Sequence, residues 1–314
     1  LLFLTQLNKI KVNMAFVVTG GAGFIGSHVV EELVKRREDV IVIDNLHTGS
    51  LENIRNFNVE FVKGRAKEIT SLKKSVDGIF HIGIYSSSPM YKEKRFLISE
   101  AMEDFIHIME FAKKYNIKVI LTSSSSVYNG NTIPWKEDMK IIPTDFYTEA
   151  RYAMERVAEV YNKLFGVKCV VLRLFSVYGP REKHKGKYAN LVSQFLWAIQ
   201  KDEPPIIFGD GTQTRDFIWV KDVVKAYMLA MEKDVSFGIF NVGTGKNYSL
   251  NELVEIINRL LGKNIKPKYV PNPIENYVYH TLADTSKAEK LLGFKAKVSL
   301  EEGIRKLLGY NNSN

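Results

Sequence analysis

The sequence has 314 residues, of which 45% are apolar, an ordinary content for a globular protein with a large core. Its formal net charge is +9, but the lysines are scattered and no aromatic-basic stripe accompanies them, so nucleic-acid binding is not predicted. No run of 18 apolar residues occurs, which predicts no membrane span. The single cysteine, Cys169, excludes an internal disulfide, favours a cytoplasmic location and lies in an apolar run typical of a buried, inert thiol.

A glycine-rich turn follows the first predicted strand, residues 14–18, which are apolar and β-branched. Residues 24–37 then place apolar side chains at helical spacing. Gly20, Gly23 and Gly26 have the spacing of a strand-to-helix turn that lets a pyrophosphate approach the backbone closely. Since free N–H groups at a helix start attract phosphate, the turn predicts dinucleotide binding.

The second predicted strand, residues 40–44, ends in an acidic residue. Asp44 comes 18 residues after Gly26, where a dinucleotide-binding fold places the carboxylate that bonds the adenosine ribose. Because a carboxylate repels a 2′-phosphate, Asp44 favours NAD over NADP. A structural turn aspartate is the alternative interpretation.

Strands and helices alternate along the middle of the chain. The patterns predict strands at 59–62, 78–82, 118–122 and 167–172, and helices at 95–116 and 146–165. This alternation predicts an α/β fold, a doubly wound parallel sheet of the Rossmann type with helices on both faces.

Proline and glycine become more frequent after residue 179, and helices are predicted at about 188–201, 221–232, 249–262 and 299–308. We interpret this part as a smaller α+β substrate-binding lobe. The predicted dinucleotide-binding domain comprises residues 14–175 and about 212–242, the smaller lobe comprises 176–211 and 243–314, and residues 1–13 form an N-terminal extension.

Hydroxyl side chains follow the fifth predicted strand, in the run Thr-Ser-Ser-Ser-Ser at residues 122–126. Ligands of parallel sheets lie beyond the carboxyl ends of the strands, although a serine-rich turn without function is the alternative. Tyr147 and Arg151 are four residues apart on the next helix and therefore share one face. A cation near a phenol lowers the tyrosine pKa, and such a tyrosine can exchange a proton with an alcohol during hydride transfer to a nicotinamide.

With these residues, the chain resembles the extended short-chain dehydrogenase/reductases of the nucleotide-sugar epimerase and dehydratase branch over residues 14–308. The segments that carry the resemblance are Thr19–Gly26, Asp44–Leu46, Phe80–His81, Ser124–Tyr128, Tyr147 with Arg151, Arg173–Arg181, Phe208–Gly211, Thr214–Phe217, Asn241–Gly243 and Ala283–Lys287.

The resemblance to UDP-glucose/UDP-galactose 4-epimerases implies site residues. Ser124 is the implied catalytic hydroxyl, Tyr147 the acid/base, and Arg151 stands at the position of the family's catalytic lysine. The implied NAD-binding residues are Gly20, Gly23, Phe24, Ile25, Gly26, Asp44, Asn45, Ser123, Tyr147 and Arg151. The nucleotide sugar, a UDP-hexose, is expected to contact Ser124, Ser125, Ser176, Asn190, Phe208 and Arg215. No metal is expected.

Several positions depart from the family pattern, and two of them are arginines. Arg151 replaces a lysine, and although arginine keeps the charge, it is planar, bulkier and unable to pass on a proton. Arg65 stands where the family has an aspartate that contacts adenine. A non-catalytic protein that binds NAD or a nucleotide sugar is therefore kept as an alternative.

The residues after the implied catalytic hydroxyl reduce the number of candidate reactions. The related 4,6-dehydratases carry an acidic pair there and the UDP-glucuronate decarboxylases a glutamate, whereas this chain has Ser125 and Ser126. The resemblance then favours 4-epimerisation, in which Tyr147 deprotonates the 4-hydroxyl and NAD takes the hydride. The 4-keto sugar rotates and the hydride returns to its other face. Another nucleotide-sugar-modifying oxidoreductase or dehydratase is the alternative.

A homodimer is also expected from the resemblance, paired through the helices near 95–116 and 146–165. Apolar side chains that could supply its contacts are Met102, Phe105, Met109, Tyr152, Val157 and Val160. Packing of these side chains on the protein's own sheet is the alternative.

Overall fold

The computed structural model describes residues 14–73 and 76–312, so the predicted extension lies outside the described residues. The described residues contain thirteen strands, which in chain order are β1 (Ala15–Thr19), β2 (Asp39–Asp44), β3 (Glu60–Lys63), β4 (Gly78–His81), β5 (Lys118–Ser124), β6 (Cys169–Leu174), β7 (Ser176–Tyr178), β8 (Ile206–Phe208), β9 (Thr214–Arg215), β10 (Phe217–Trp219), β11 (Phe237–Val242), β12 (Tyr248–Ser249) and β13 (Lys268–Val270).

The α-helices of the same residues are α1 (Phe24–Lys35), α2 (Ser88–Glu93), α3 (Leu97–Tyr115), α4 (Phe146–Phe165), α5 (Leu191–Gln200), α6 (Val220–Glu232), α7 (Leu250–Leu261), α8 (Ser286–Leu292) and α9 (Leu300–Asn312). Short 3-10 helices cover Leu51–Asn53, Ala66–Ser71, Ser125–Tyr128 and Lys183–Tyr188.

Seven parallel strands form the central sheet, in the spatial order β11-β6-β5-β4-β1-β2-β3. Successive side chains of each strand enter opposite faces, so Val17 packs in one core and Val18 in the other. Side chains of α1, α6 and α8 cover the Val18 face, whereas those of α3 and α4 cover the Val17 face. The predicted doubly wound Rossmann-type sheet is confirmed.

Several boundaries differ from the predictions. The helix predicted at 95–116 begins at Leu97, and a separate short helix, α2, precedes it. Strand β6 lies two residues later than predicted. Two elements, the seventh strand β11 and helix α8, had no predicted counterpart. Strand β11 was missed because it is defined by its pairing with β6, which lies more than sixty residues earlier in the chain.

The second half of the chain contributes a smaller core between α5, α7 and α9. Its buried side chains include Phe195, Ile207, Trp219, Leu253 and Ile304, and three two-stranded sheets (β10-β7, β12-β9 and β13-β8) surround it. This mixture of helices and short strands agrees with an α+β lobe. The residue limits of the two domains stay a prediction.

Among residues 14–73 and 76–312, no helix is both long and apolar enough to cross a membrane. Within the same residues, no cluster of three or more His, Cys, Asp and Glu side chains has the arrangement of a metal site. Cys169 is fully buried on β6, and burial raises the pKa of its thiol to about 12, which confirms the prediction of an inert thiol.

Two histidines are buried in uncharged form. His28 on α1 donates its Nε2–H to the carbonyl of Pro180, while its Nδ1 faces Arg181, and burial lowers its pKa to about 4. His81, at the end of β4, contacts the Thr19 hydroxyl through Nδ1, and burial together with the charge of Arg151 lowers its pKa to about 3. Both imidazoles therefore stay neutral in the folded protein at pH values that protonate them in the unfolded chain.

This difference predicts acid sensitivity. Below the unfolded pKa of 6.5 the unfolded state binds protons that the native state does not, so stability is complete above pH 7 and falls as the pH drops toward 4. We expect the free energy of unfolding to fall by about 1 kcal/mol for each of the two imidazoles as the pH is lowered from 7.5 to 5.5. The measurement is urea denaturation of the wild type and of His28→Gln at both pH values.

The control for this prediction is His107→Gln, a change at a half-buried position of α3. His28→Gln should show a smaller loss of stability on acidification than the wild type, whereas His107→Gln should match the wild type. An identical pH dependence in the wild type and His28→Gln would contradict the prediction.

Candidate active site

A cavity of about 790 Å³ opens at the carboxyl edge of the central sheet. Residues that follow β1, β2, β4 and β5 line one side of it, and residues of the smaller lobe line the other. Ligands of open parallel sheets bind in the crevice outside the carboxyl ends of the strands, between the loops that follow those strands.

The glycine-rich turn forms the floor of the cavity at its β1 end. Gly20 adopts φ +67°, and a Cβ on Gly26 would overlap the carbonyl oxygen of Gly20. Only glycine at these positions lets α1 start directly against β1. Gly23 precedes α1, whose first N–H groups therefore face the cavity.

Asp44 closes the turn from the end of β2. Its carboxylate accepts the backbone N–H groups of Ala22 at 3.0 Å and Leu46 at 2.7 Å, and burial raises its pKa. Asn45 and the exposed His47 continue the cavity wall beside it. The carboxylate is thus held rigidly at the rim, in a position to accept hydrogen bonds from ribose hydroxyls.

The side chain of Arg65, just beyond β3, is turned onto α3. It donates to Asp104 at 3.2 Å, to Glu103 at 2.7 Å and to the carbonyl of Glu100 at 2.8 Å. Arg65 and Asp104 both line the cavity, so the wall here is an ion pair rather than a free carboxylate.

Tyr147 lies in the first turn of α4, whose start is fixed by a capping box. The carboxylate of Asp145 accepts the N–H of Thr148 at 2.8 Å, and the hydroxyl of Thr148 accepts the N–H of Asp145. The Tyr147 ring is nearly buried, and its hydroxyl forms no hydrogen bond within residues 14–73 and 76–312. That hydroxyl is therefore available to a ligand in the cavity.

Arg151 packs against Tyr147, with its guanidinium carbon 5.0 Å from the centroid of the ring. Its two terminal nitrogens donate to the carbonyls of Thr122 at 2.9 Å and Tyr85 at 3.0 Å. Arg151 is 3% exposed and its Nε has no partner in the described part of the chain. The side chain thus ties α4 to the ends of β4 and β5 and places a buried positive charge beside the phenol.

Ser124 ends β5 and starts a short 3-10 helix. Its hydroxyl accepts the N–H of Ser126 at 3.2 Å and lies 3.1 Å from the Ser126 hydroxyl. Ser123 donates its hydroxyl to Glu155 of α4, which also holds the guanidinium of Arg173. The buried Glu155–Arg173 pair therefore joins the hydroxyl-bearing end of β5 to the helix that carries Tyr147.

Arg215 on β9 lines the cavity and has no carboxylate partner in the described residues. It donates to the carbonyls of Thr214 at 2.9 Å and Tyr279 at 3.1 Å, and its guanidinium lies 5.3 Å from the Tyr277 ring. Burial lowers its pKa. The half-buried guanidinium therefore contacts only carbonyls and an aromatic ring, and no carboxylate of the described residues neutralises its charge.

The structure brings nearly all the predicted site residues to this one cavity. The residues that line it are Gly20, Gly23, Phe24, Ile25, Gly26, Asp44, Asn45, Ser123, Ser124, Ser125, Tyr147, Arg151, Ser176, Asn190 and Arg215. Phe208 is not part of the lining; it lies partly exposed on β8, and only its carbonyl is linked inward, through Gln213.

Sequence reasoning missed cavity residues that follow β4. These are Tyr85, Ser86, Ser87, Ser88, Lys92 and Arg95. The rule that ligands bind beyond strand ends applies to β4 as much as to β5, and it would have selected the serine run at 86–88. Tyr91, whose ring contacts the Tyr147 ring edge-on at 5.7 Å, carried no separate signal.

A family model described as the NAD dependent epimerase/dehydratase family matches residues 16–243. The chain belongs to this family. It is 38% identical over 311 residues to a putative UDP-glucose 4-epimerase of Methanocaldococcus jannaschii. The aligned region covers 95% of this chain and 98% of the relative.

Two solved structures are also similar to this chain. One is a UDP-N-acetylglucosamine 4-epimerase from Methanobrevibacter ruminantium in complex with UDP-N-acetylmuramic acid, and the other a UDP-glucose 4-epimerase from Thermotoga maritima with UDP-glucose. Each has a TM-score of 0.89 and 34% identity, with 96% of this chain and 99% of the other covered. The predicted family and its dependence on NAD are confirmed.

The cavity fits NAD at its β1–β2 end. The glycine turn leaves room for a pyrophosphate that any Cβ at Gly20 or Gly26 would remove, and the N-terminus of α1 supplies N–H groups for it. Asp44 offers the ribose its carboxylate.

Proposed function

We propose that the protein is a UDP-hexose 4-epimerase of the UDP-glucose/UDP-galactose type. The observation that carries this proposal is the site composition around Tyr147: a phenol without a hydrogen-bond partner in the described residues, a neighbouring guanidinium, and the Ser124 hydroxyl on the facing turn. These groups suffice for proton exchange with one sugar hydroxyl. NAD, when bound, supplies the site with a reversible hydride acceptor.

In this proposal, Tyr147 removes the proton from the 4-hydroxyl and later returns a proton to the oxygen of the 4-keto sugar. The guanidinium carbon of Arg151 lies 5.0 Å from the centroid of the Tyr147 ring, so a positive charge lies beside the phenol. Ser124 donates a hydrogen bond to the same sugar oxygen. Arg215 binds the diphosphate, which tethers the sugar while the ring turns its other face.

Three of the four carboxylates of the described residues that line the cavity are held by other groups, and the fourth, Glu275, is exposed on the loop after β13. Asp44 is bonded to backbone N–H groups, Asp104 to Arg65, and Asp145 to the start of α4. The turn after the catalytic hydroxyl holds Ser125 and Ser126, which do not act as acid or base at neutral pH. These assignments favour epimerisation over the dehydratase alternative.

The test is incubation of the purified protein with UDP-glucose or UDP-galactose and separation of the two sugars by chromatography. Equilibration from both directions, without added reductant, is the expected result. If the protein converts no UDP-hexose of a panel that includes acidic and N-acetylated sugars, or if NADH accumulates with turnover, the proposal is wrong.

Arg215 provides a binding prediction. Because a hydrogen bond to a charged group contributes about 1.5–3 kcal/mol, Arg215→Gln should weaken UDP binding on the order of 10- to 100-fold. Calorimetric titration with UDP measures this directly. Arg259→Gln is the matched control, since Arg259 is an exposed arginine on α7 that pairs with Glu301. Equal UDP affinity of Arg215→Gln and the wild type would contradict the diphosphate assignment.

We also propose a homodimer through the outer faces of α3 and α4. Phe105 and Met109 of the predicted set are fully buried in the core, so they pack on the sheet and supply no partner contacts. Val160 of the predicted set is exposed, and the other exposed large apolar side chains on these two helices are Ile106, Phe146, Leu164 and Phe165. Light scattering should give twice the chain mass for the wild type and the chain mass for Val160→Glu/Leu164→Glu; a monomeric wild type would refute the proposal.

A further inference from the structure

An ion pair forms part of the cavity wall just beyond the end of β3. Arg65, which follows β3, and Asp104, on α3, both line the cavity although 39 residues of chain separate them. The guanidinium contacts the carboxylate through two nitrogens, with Nε 3.2 Å from one oxygen and Nη2 3.2 Å from the other. The two side chains are only 24% and 8% exposed, so the pair is a fixed part of the wall.

Both members of this pair keep unused hydrogen-bonding capacity. Nε and Nη2 of Arg65 are occupied by Asp104, by Glu103 at 2.7 Å and by the carbonyl of Glu100 at 2.8 Å, whereas Nη1 has no hydrogen-bond partner in the described part of the chain. Asp104 receives the two contacts from Arg65 and the N–H of Lys67 at 3.3 Å, whereas an ionised carboxylate accepts about four hydrogen bonds. The wall therefore offers a free donor beside an acceptor.

The base of the cofactor lies at this end of the cavity. Asp44 at the end of β2 is placed to bind the adenosine ribose, and β3 is the neighbour of β2 at the edge of the sheet. The N–H of Gly64 donates to the carbonyl of Asp44 at 3.1 Å, and Arg65 is the next residue. Ile43 and Ala66, which adjoin Asp44 and Arg65 in the sequence, also line the cavity and supply apolar surface for a flat ring. An adenine attached to the ribose therefore meets the ion pair.

The donor and the acceptor of the wall match adenine in particular. Adenine carries its N6 amino donor beside a ring-nitrogen acceptor, whereas hypoxanthine and guanine carry the O6 acceptor at the same position. A carboxylate binds an amino group and repels O6, so a carboxylate with a neighbouring N–H donor selects the adenine pattern.

We propose that Asp104 and Arg65 together recognise the adenine of NAD. Asp104 accepts a hydrogen bond from the N6 amino group, and Nη1 of Arg65 donates to the neighbouring ring nitrogen. The carboxylate that recognises the base thus comes from α3, and Arg65 both holds it in place and supplies the donor. This assignment concerns the cofactor and does not depend on which sugar the site converts.

The test compares NAD with nicotinamide hypoxanthine dinucleotide, which has O6 in place of the amino group. The full chain is incubated with equal, excess concentrations of isotopically labelled NAD and the hypoxanthine analogue until the bound ratio is constant. Mass spectrometry of the bound nucleotides then gives the ratio of the two affinities, and the label separates added NAD from NAD that co-purifies. NAD should be preferred on the order of 10- to 100-fold.

Two variants separate base recognition from charge. Asp104→Asn should bring the ratio to within a few-fold of one, because an amide both donates and accepts and so suits either base. Glu103→Gln is the matched control, since Glu103 holds the same guanidinium at 2.7 Å but is 45% exposed and is not among the residues that line the cavity. This control should keep the wild-type preference.

A wild-type ratio near one would overturn the proposal. So would an unchanged ratio in Asp104→Asn, because a purely structural Asp104 would weaken both nucleotides equally, or a lost preference in Glu103→Gln, which would assign the effect to net charge. If Asp104→Asn does not fold, Arg65→Met examines the donor alone. Its ratio should fall but stay above one, and an unchanged ratio there would equally refute the assignment.

Discussion

Replacing Tyr147 by phenylalanine should abolish epimerisation while leaving NAD and UDP bound. The substitution removes only the hydroxyl, which forms no hydrogen bond within the described residues, so the ring keeps its contacts with Arg151 and Tyr91. General acid/base catalysis contributes about 10²- to 10⁴-fold to the reaction rate, so kcat should fall at least about 100-fold. Initial rates and calorimetric titration with UDP measure the two effects separately.

A matched tyrosine is available as the control. Tyr91 is fully buried, its ring contacts Tyr147 edge-on, and its hydroxyl has no partner in the described chain. Tyr91→Phe should therefore retain activity within a few-fold, since it removes a hydroxyl that does not reach the substrate. Retained epimerisation in Tyr147→Phe would exclude Tyr147 as the acid/base. Unchanged ligand binding with no activity in the wild type would favour the non-catalytic alternative.

Breaking the buried ion pair between Glu155 and Arg173 should cost about 3–5 kcal/mol of unfolding free energy. The pair is bidentate, with 3.0 and 2.6 Å hydrogen bonds, and its side chains are 0% and 2% exposed. Glu155 holds the pKa of Arg173 above its ordinary range. In Arg173→Met the Glu155 carboxylate would stay buried without its cation, which is the physical reason for the large loss.

Urea denaturation at neutral pH measures this loss. The control is Arg156→Gln on the same helix, where Arg156 pairs with Glu159 at 2.6 Å but is 61% exposed, and we expect less than about 1 kcal/mol. The double variant Glu155→Leu/Arg173→Met should recover most of the lost stability, because it leaves no buried charge. A similar loss for Arg156→Gln and Arg173→Met would refute the assigned role of burial.

The same pair connects stability to the site. Glu155 accepts hydrogen bonds from both Ser123 and Arg173, so it fixes the end of β5 relative to α4. Ser124 follows Ser123 directly, and Tyr147 lies two turns before Glu155. The relative placement of the hydroxyl and the phenol is therefore supported by a buried network rather than by the turn alone.

Local sequence determined six of the seven strands of the central sheet and the cofactor end of the site. The apolar strand before Gly20, the spacing of Gly20, Gly23 and Gly26, and Asp44 at the end of the second strand are all features of short segments. Each acts through its own backbone conformation or its immediate neighbours, so pattern alone predicts it. The Tyr147–Arg151 spacing likewise specifies a shared helix face.

Tertiary structure alone decided which distant groups meet. Arg65 forms an ion pair with Asp104, and Glu155 forms one with Arg173. Arg215 donates a hydrogen bond to the carbonyl of Tyr279, and in all three cases the partners are far apart in the chain. Phe208 lies outside the cavity lining although its motif suggested otherwise. The free Nη1 of Arg65 is likewise visible only once the partners of its other nitrogens are known, because pairing depends on spatial distance and not on position in the chain.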